Sequence, residues 1–147
     1  MGGRRRMHGG FRASRGALPF WNRIRRYPMA IADVVKVTSL TNVDVYNLQD
    51  EKVGTIQNLM IDAERGCIAY AVLSHGGFLG IGDKLFAIPW SSLGLDTDRG
   101  IYTMDVSRER LENAPGFDKD NWPNMANEEW GRRVHEYYDA EPYWLHV

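Results

Sequence analysis

The sequence holds one cysteine, no acidic residue in its first 29 positions, and no run approaching the roughly 18–20 apolar residues of a membrane helix. Each scarcity excludes something. A lone Cys67 cannot form an internal disulfide, which agrees with a reducing, cytoplasmic setting, and beside Gly66 it is expected to be an inert, partly buried thiol. The missing apolar run excludes a helical membrane span. The four histidines, His8, His75, His135 and His146, are scattered, and none stands at metal-ligand spacing. His75, next to Gly76, is expected to face solvent. There is no G-x-S-x-G elbow, and Asp62, Asp96 and Asp98 read as turn acids and not as a catalytic pair. No catalytic, cofactor or metal site is expected, and the chain does not read as an enzyme.

The 147 residues suffice for one domain with a real core. The formal net charge of −1 conceals a split. Residues 1–29 carry eight arginines and no acid, a net +8; the remainder carries ten Lys/Arg against all nineteen acids, a net −9. The basic leader, rich in Arg and Gly, lacks a periodic apolar pattern and is expected to be disordered. It reads as a non-functional extension ahead of Met29, as a targeting segment, or as a tail for phosphate-rich partners, the first being favoured.

From Val34 to Val106 the pattern becomes short, β-branched and alternating. Candidate strands are Val43–Asn47, Val53–Asp62, Ile68–Leu73, Leu85–Pro89 and Ile101–Val106, with Asp50-Glu51-Lys52 as a turn. The second slips by one residue between Ile56 and Leu59, as a β-bulge would require. Pro89 should end its ladder. Two turns match position by position: Asp62-Ala63-Glu64-Arg65-Gly66 and Asp96-Thr97-Asp98-Arg99-Gly100. In each, a glycine at positive φ would close a hairpin after a type I turn. A calcium loop would need its glycine one place later and a glutamate at position 12. Strands joined by hairpins without intervening helices imply an antiparallel barrel or sandwich.

Gly76-Gly77-Phe78-Leu79-Gly80-Ile81-Gly82 follows a strand and precedes a strand, whereas a phosphate loop opens a helix. It reads as a hairpin loop whose apolar Phe78 and Leu79 either mark a contact surface or fold back over the barrel mouth. Beyond Ser107 the composition turns helical and aromatic. Ser107 can cap a short helix to Glu112, and Asn127 a second one from Glu128 to about Tyr138. On the latter, Trp130, Val134, Tyr137 and Tyr138 share one face, with Phe117, Trp122, Met125, Tyr143 and Trp144 nearby. This extension, residues 107–147, is expected to pack on the barrel or on a partner.

Residues 37–95 resemble the PRC-barrel family, found in the photosynthetic reaction centre H subunit and in ribosome maturation factor RimM. The resemblance rests on Leu40, Val43, Val45-Tyr46-Asn47, the turn from Asp50 to Gly54, Ile56 with Leu59–Asp62, Gly66, Ile68–Leu73, the glycine loop 76–82, and Phe86–Trp90. The tail, through Ala114-Pro115, Phe117-Asp118, Trp122-Pro123, Trp130, Tyr137-Tyr138 and Pro142-Tyr143-Trp144, looks like that of small stand-alone bacterial members. The resemblance implies a small antiparallel β-barrel over residues 34–106. It also implies a non-catalytic binding or assembly module of the stand-alone type, loosely tied to stress responses. The expected surface comprises Phe78, Leu79, Trp122, Trp130, Tyr137, Tyr138 and Trp144. Its partner would be another protein or a second copy, with nucleic acid, RNA or the ribosome, as the alternative served by the Arg-rich leader.

Overall fold

In a computed structural model of the chain, residues 34–75 and 84–146 are described. A 3-10 turn, Val37–Leu40, leads into seven strands: β1 Val43–Asn47, β2 Lys52–Asp62, β3 Cys67–Ser74, β4 Lys84–Pro89, β5 Leu93–Asp96, β6 Ile101–Met104 and β7 Phe117–Asp118. Two helices, α1 Arg108–Glu112 and α2 Glu128–Tyr137, flank β7, and a 3-10 turn, Tyr143–Leu145, follows. Nothing in the structure bears on the Arg-rich leader, 1–29, or on the glycine loop 76–82, which lie outside the described residues.

The strands form one sheet in the order β5-β6-β1-β2-β3-β4-β7. This corrects the expected barrel twice. The sheet is not wholly antiparallel: β1 and β6 run parallel, with Val45 opposite Tyr102 and Asn47 opposite Met104. Nor does the ladder close, since β5 and β7 are both edges. The chain passes from β4 to β5 through a single 3-10 turn, Trp90–Ser92. Pro89 brings no N–H to that crossing, and Leu93 N–H turns back to the Trp90 carbonyl. The closing ladder is thereby replaced by a turn.

That short crossing nevertheless forces the sheet to curl. Six strands laid flat would separate β5 from β4 by about 24 Å, whereas the four steps from Pro89 to Leu93 reach at most about 14 Å. Register shifts at Val45/Tyr46 in β1, and at Ile56/Asn58 and Met60/Ile61 in β2, supply the local twist. The first β2 shift falls where the sequence slips. The curl lets six strands feed one interior: Val45, Val53, Ile56, Ala71, Leu73, Phe86, Ile88, Leu93, Tyr102 and Met104 form a single buried cluster. Tyr102 spans it and donates its hydroxyl to the Leu40 carbonyl at 2.8 Å.

The twin turns form as their matching residues imply. Asp62 Oδ1 accepts from the Arg65 N–H at 2.9 Å and Asp96 Oδ1 from the Arg99 N–H at 3.1 Å. Each arginine returns its guanidinium to the same aspartate, and Gly66 and Gly100 sit at φ +71° and +67°. The β1–β2 turn is organised by Asn47, to which the sequence assigned a strand end and no turn role. Asn47 Oδ1 accepts from the N–H groups of Gln49 and Glu51, while its Nδ2 donates to Glu51 Oε1.

Candidate functional site

The C-terminal extension contains most of the aromatic residues in question, and two caps place it. Ser107 Oγ accepts from Arg110 N–H at 3.0 Å to start α1, and Asn127 Oδ1 accepts from Trp130 N–H at 2.8 Å to start α2. Glu128 and Glu129 stand in the first turn of α2, where the helix dipole favours acids.

The buried side of α2 lies on the outer face of β3 and β4. Ala69, Tyr70, Ala87 and Val134 make a second buried cluster, against which Met60, Phe117, Met125, Trp130, Tyr138 and Tyr143 pack. This explains why Ile68–Leu73 reads as an unbroken apolar run. The interior takes one face of β3 and the extension takes the other. Tyr70 is the centre of the seam. Its ring meets Trp130 edge-on at 5.4 Å, His135 at 5.4 Å and Tyr143 at 6.0 Å, and Trp144 closes on His135 at 5.5 Å. Gly131 admits the Tyr70 hydroxyl, because a Cβ there would stand 2.7 Å from that oxygen.

His135 is 1 % exposed. Its Nδ1 lies 2.8 Å from the Gly131 carbonyl, an acceptor, so that nitrogen carries the proton. Burial lowers its pKa, against which the bond to Gly131 works. Past α2, Tyr143 donates its hydroxyl to Asp62 Oδ2 at 2.6 Å, tying the chain's end to the β2–β3 turn. That bond, with the Arg65 backbone N–H next, holds the Asp62 carboxyl down at about 2. Burial, with the bond to Asp62, pushes Tyr143 up to about 12.

Of the expected surface residues, Trp130, Tyr137, Tyr138 and Trp144 are half-buried in this packing. Burial raises the pKa of Tyr138. Tyr137 donates its hydroxyl to the Arg110 carbonyl, while the Arg110 guanidinium lies 4.7 Å from the centre of its ring. Trp122 stands apart from them. It is 39 % exposed, leans on Phe117 at 5.1 Å and donates Nε1 to the Lys119 carbonyl. Beside it, Lys84, Gly116, Phe117, Asp118 and Asn121 line a shallow depression. Phe78 and Leu79 lie outside the described residues. The ends of their loop meet where His75 N–H donates to the Lys84 carbonyl at 3.2 Å, and Lys84 also lines the depression.

His75 corrects an expectation, being 9 % exposed and not solvent-facing. Its Nδ1 lies 2.6 Å from the Val53 carbonyl and its Nε2 3.4 Å from Glu112 Oε2. Among the described residues no group of three His, Cys, Asp or Glu side chains could hold a metal ion. Cys67 is partly buried. The residues that the sequence reading missed are Gly131 and His135. They follow Trp130 and Val134 by one position each, and an interior helical glycine, which costs about 1 kcal/mol, is a sign of close approach.

The PRC-barrel domain model matches residues 32–111, just over half of the chain. The chain belongs to the PRC-barrel family. A search of curated proteins returned no match. Among solved structures that it resembles is a Pseudomonas aeruginosa RimM, assigned as a 16S ribosomal RNA processing protein. The two are 16 % identical, with a TM-score of 0.37 over 56 % of this chain and 49 % of the other. The PRC-barrel chain thus spans about half the length of that relative. No helix among the described residues is long and apolar enough to cross a membrane.

Proposed function

We propose that this PRC-barrel chain is a non-enzymatic binding and assembly module whose docking surface is the Phe117–Trp122 shelf at the β7 edge, and whose partner is a protein, in the first instance a second copy. The observation that carries the reading is the exposure of Trp122. Trp130, Tyr137, Tyr138 and Trp144 spend their surface on the chain's own packing, while Trp122 presents a large ring to solvent beside a depression with mixed charge. Buried tryptophans dominate the energetics of protein interfaces, so a solvent-facing one at a sheet edge fits a docking role. A cytoplasmic, stress-linked role accords with this reading.

Sedimentation of the full chain over a wide concentration range tests it. Wild type should self-associate, and Trp122→Ala should weaken association at least tenfold without altering the circular dichroism spectrum. A strict monomer at high concentration, or association untouched by the substitution, would overturn it.

The charge split supports a second reading, RNA or ribosome binding through the leader. The body, at net −9, repels phosphate, so binding would reside in residues 1–29. Retention of RNA at low salt should fall steeply as salt rises and disappear when residues 1–28 are removed. Absence of RNA binding by the full chain at low salt would exclude it.

A further inference from the structure

We propose that His135 is a pH latch: acidification places a charge on an imidazole sealed between Tyr70, Tyr143 and Trp144, and so releases the C-terminal extension from the outer face of β3 and β4. The argument is geometric. His135 lies on the buried side of α2, the helix that covers β3 and β4, so whatever disfavours its burial disfavours docking of the helix. On the β3 side it meets Tyr70. On the side of the C-terminal turn it meets Tyr143 at 6.0 Å and Trp144 at 5.5 Å. Its own helix supplies the Gly131 carbonyl, which takes the one proton of the neutral ring.

A second proton would go on Nε2. Among the described residues, Nε2 is buried and has no hydrogen-bond partner, and neither has the Tyr70 hydroxyl. No carboxylate among the described residues pairs with the ring. The acid in the neighbourhood, Asp62, receives both Tyr143 and Arg65. Besides Arg65, Arg132 lies 5.9 Å from the centre of the Trp144 ring and adds charge of the same sign as imidazolium. The other acids of α2, Glu128, Glu129 and Glu136, lie on its exposed side, the first two paired with Arg132 and Arg133. A buried, unpaired imidazolium is costly, whereas in water the same group protonates freely near its ordinary value of about 6.5.

The sign follows from that difference. The undocked extension binds the proton more readily than the docked one, so docking is strongest above about pH 6.5 and weakens as the pH falls below it. Weakening is limited to about tenfold per pH unit, the slope of one proton. Release would uncover Tyr70, Ala69 and Ala87 together, an apolar strip on two adjacent strands. This proposal does not depend on the partner assigned to Trp122.

Hydrogen exchange of the full chain at pH 7.5 and pH 5.5, corrected for intrinsic rates, provides the test. In wild type, protection across Glu128–Tyr137 should fall up to tenfold on acidification while β2 and β3 hold theirs. In His135→Gln the fall should disappear, which separates this site from His75 and His146, both present in the variant. Equal tail protection at the two pH values, or an undiminished fall in His135→Gln, would overturn the proposal. Should His135→Gln fail to dock at pH 7.5, an NMR titration of wild-type His135 decides. A midpoint below that of a free histidine supports the latch, and one at or above it refutes it.

Discussion

Arg110 and Tyr137 hold each other from both ends. The Arg110 guanidinium donates to the Tyr137 carbonyl oxygen, and the Tyr137 hydroxyl donates to the Arg110 carbonyl oxygen at 2.6 Å. The guanidinium also lies over the tyrosine ring at 4.7 Å and within 3.7 Å of Asp139. A five-residue helix, α1, is thus fastened to the end of α2, although neither would hold its position alone. Because both hydrogen bonds end on backbone carbonyls, a double-mutant cycle with Arg110→Ala and Tyr137→Leu isolates the guanidinium–ring contact, and it should show a coupling of about 0.5–1 kcal/mol in urea unfolding. Additive losses would mean that the two side chains act independently.

The bond from Tyr143 to Asp62 predicts a change in acid sensitivity. Asp62 titrates at about 2 in the folded chain against an ordinary 3.8, with Tyr143 as the largest cause. Its ionised form therefore stabilises the fold above pH 4, and that contribution drains away as the pH falls from about 4 toward 2. In Tyr143→Phe the Asp62 midpoint should rise toward its ordinary value, and the loss of stability across this window should shrink. Carboxyl NMR on the two proteins, with acid unfolding followed by circular dichroism, measures both effects.

Gly131→Ala should be one of the costlier single-methyl changes in the chain. The added carbon would lie 2.7 Å from the hydroxyl of the fully buried Tyr70 and 3.1 Å from the Trp144 ring. Although alanine favours a helix over glycine by about 1 kcal/mol, overpacking of this kind costs about 1–3 kcal/mol. A net loss of stability in urea, with faster exchange in α2, is expected. A gain would show that the seam is loose.

The two matching hairpins should respond alike to one change and differently to another. Gly66→Ala and Gly100→Ala each put a side chain at positive φ and should each cost about 1–2 kcal/mol in thermal or urea unfolding. Removing charge separates them. Asp62→Asn should loosen the extension, because Asp62 also receives Tyr143, whereas Asp96→Asn should leave exchange in α2 unchanged. The Asp96 turn has a different outside contact, Arg99 to Asp50 at 3.5 Å.

The residues that announced themselves in the sequence are those with local causes. Ser107 and Asn127 cap because a short polar side chain can reach the N–H three residues on. The twin Asp-to-Gly turns form because their hydrogen bonds span only three or four residues. The β2 bulge was visible as a broken alternation at Ile56. What escaped has a distant cause. Alternation marks Val45 and Tyr102 as strand residues but says nothing of their lying side by side in parallel. The same limit applies to the aromatic tail. Its stripe identified Trp130 and Tyr138, yet His135 and Gly131 matter only because Tyr70, far back in the chain, stands opposite. Exposure separated Trp122 from its aromatic neighbours, and residue type could not.

The parallel pairing of β1 with β6 sets the order in which this domain can be made. Asn47 must wait for Met104, so the sheet cannot be completed on the ribosome until nearly all of the domain has emerged. Closing that loop costs entropy before any contact across it is gained, and a high share of such distant contacts slows folding. Until then β1 presents a bare edge, open to pairing with another nascent chain. Kinetic vulnerability should accordingly concentrate in β1. Pulsed hydrogen exchange during refolding should find the amides shared by β1 and β6 protected later than those shared by β2, β3 and β4.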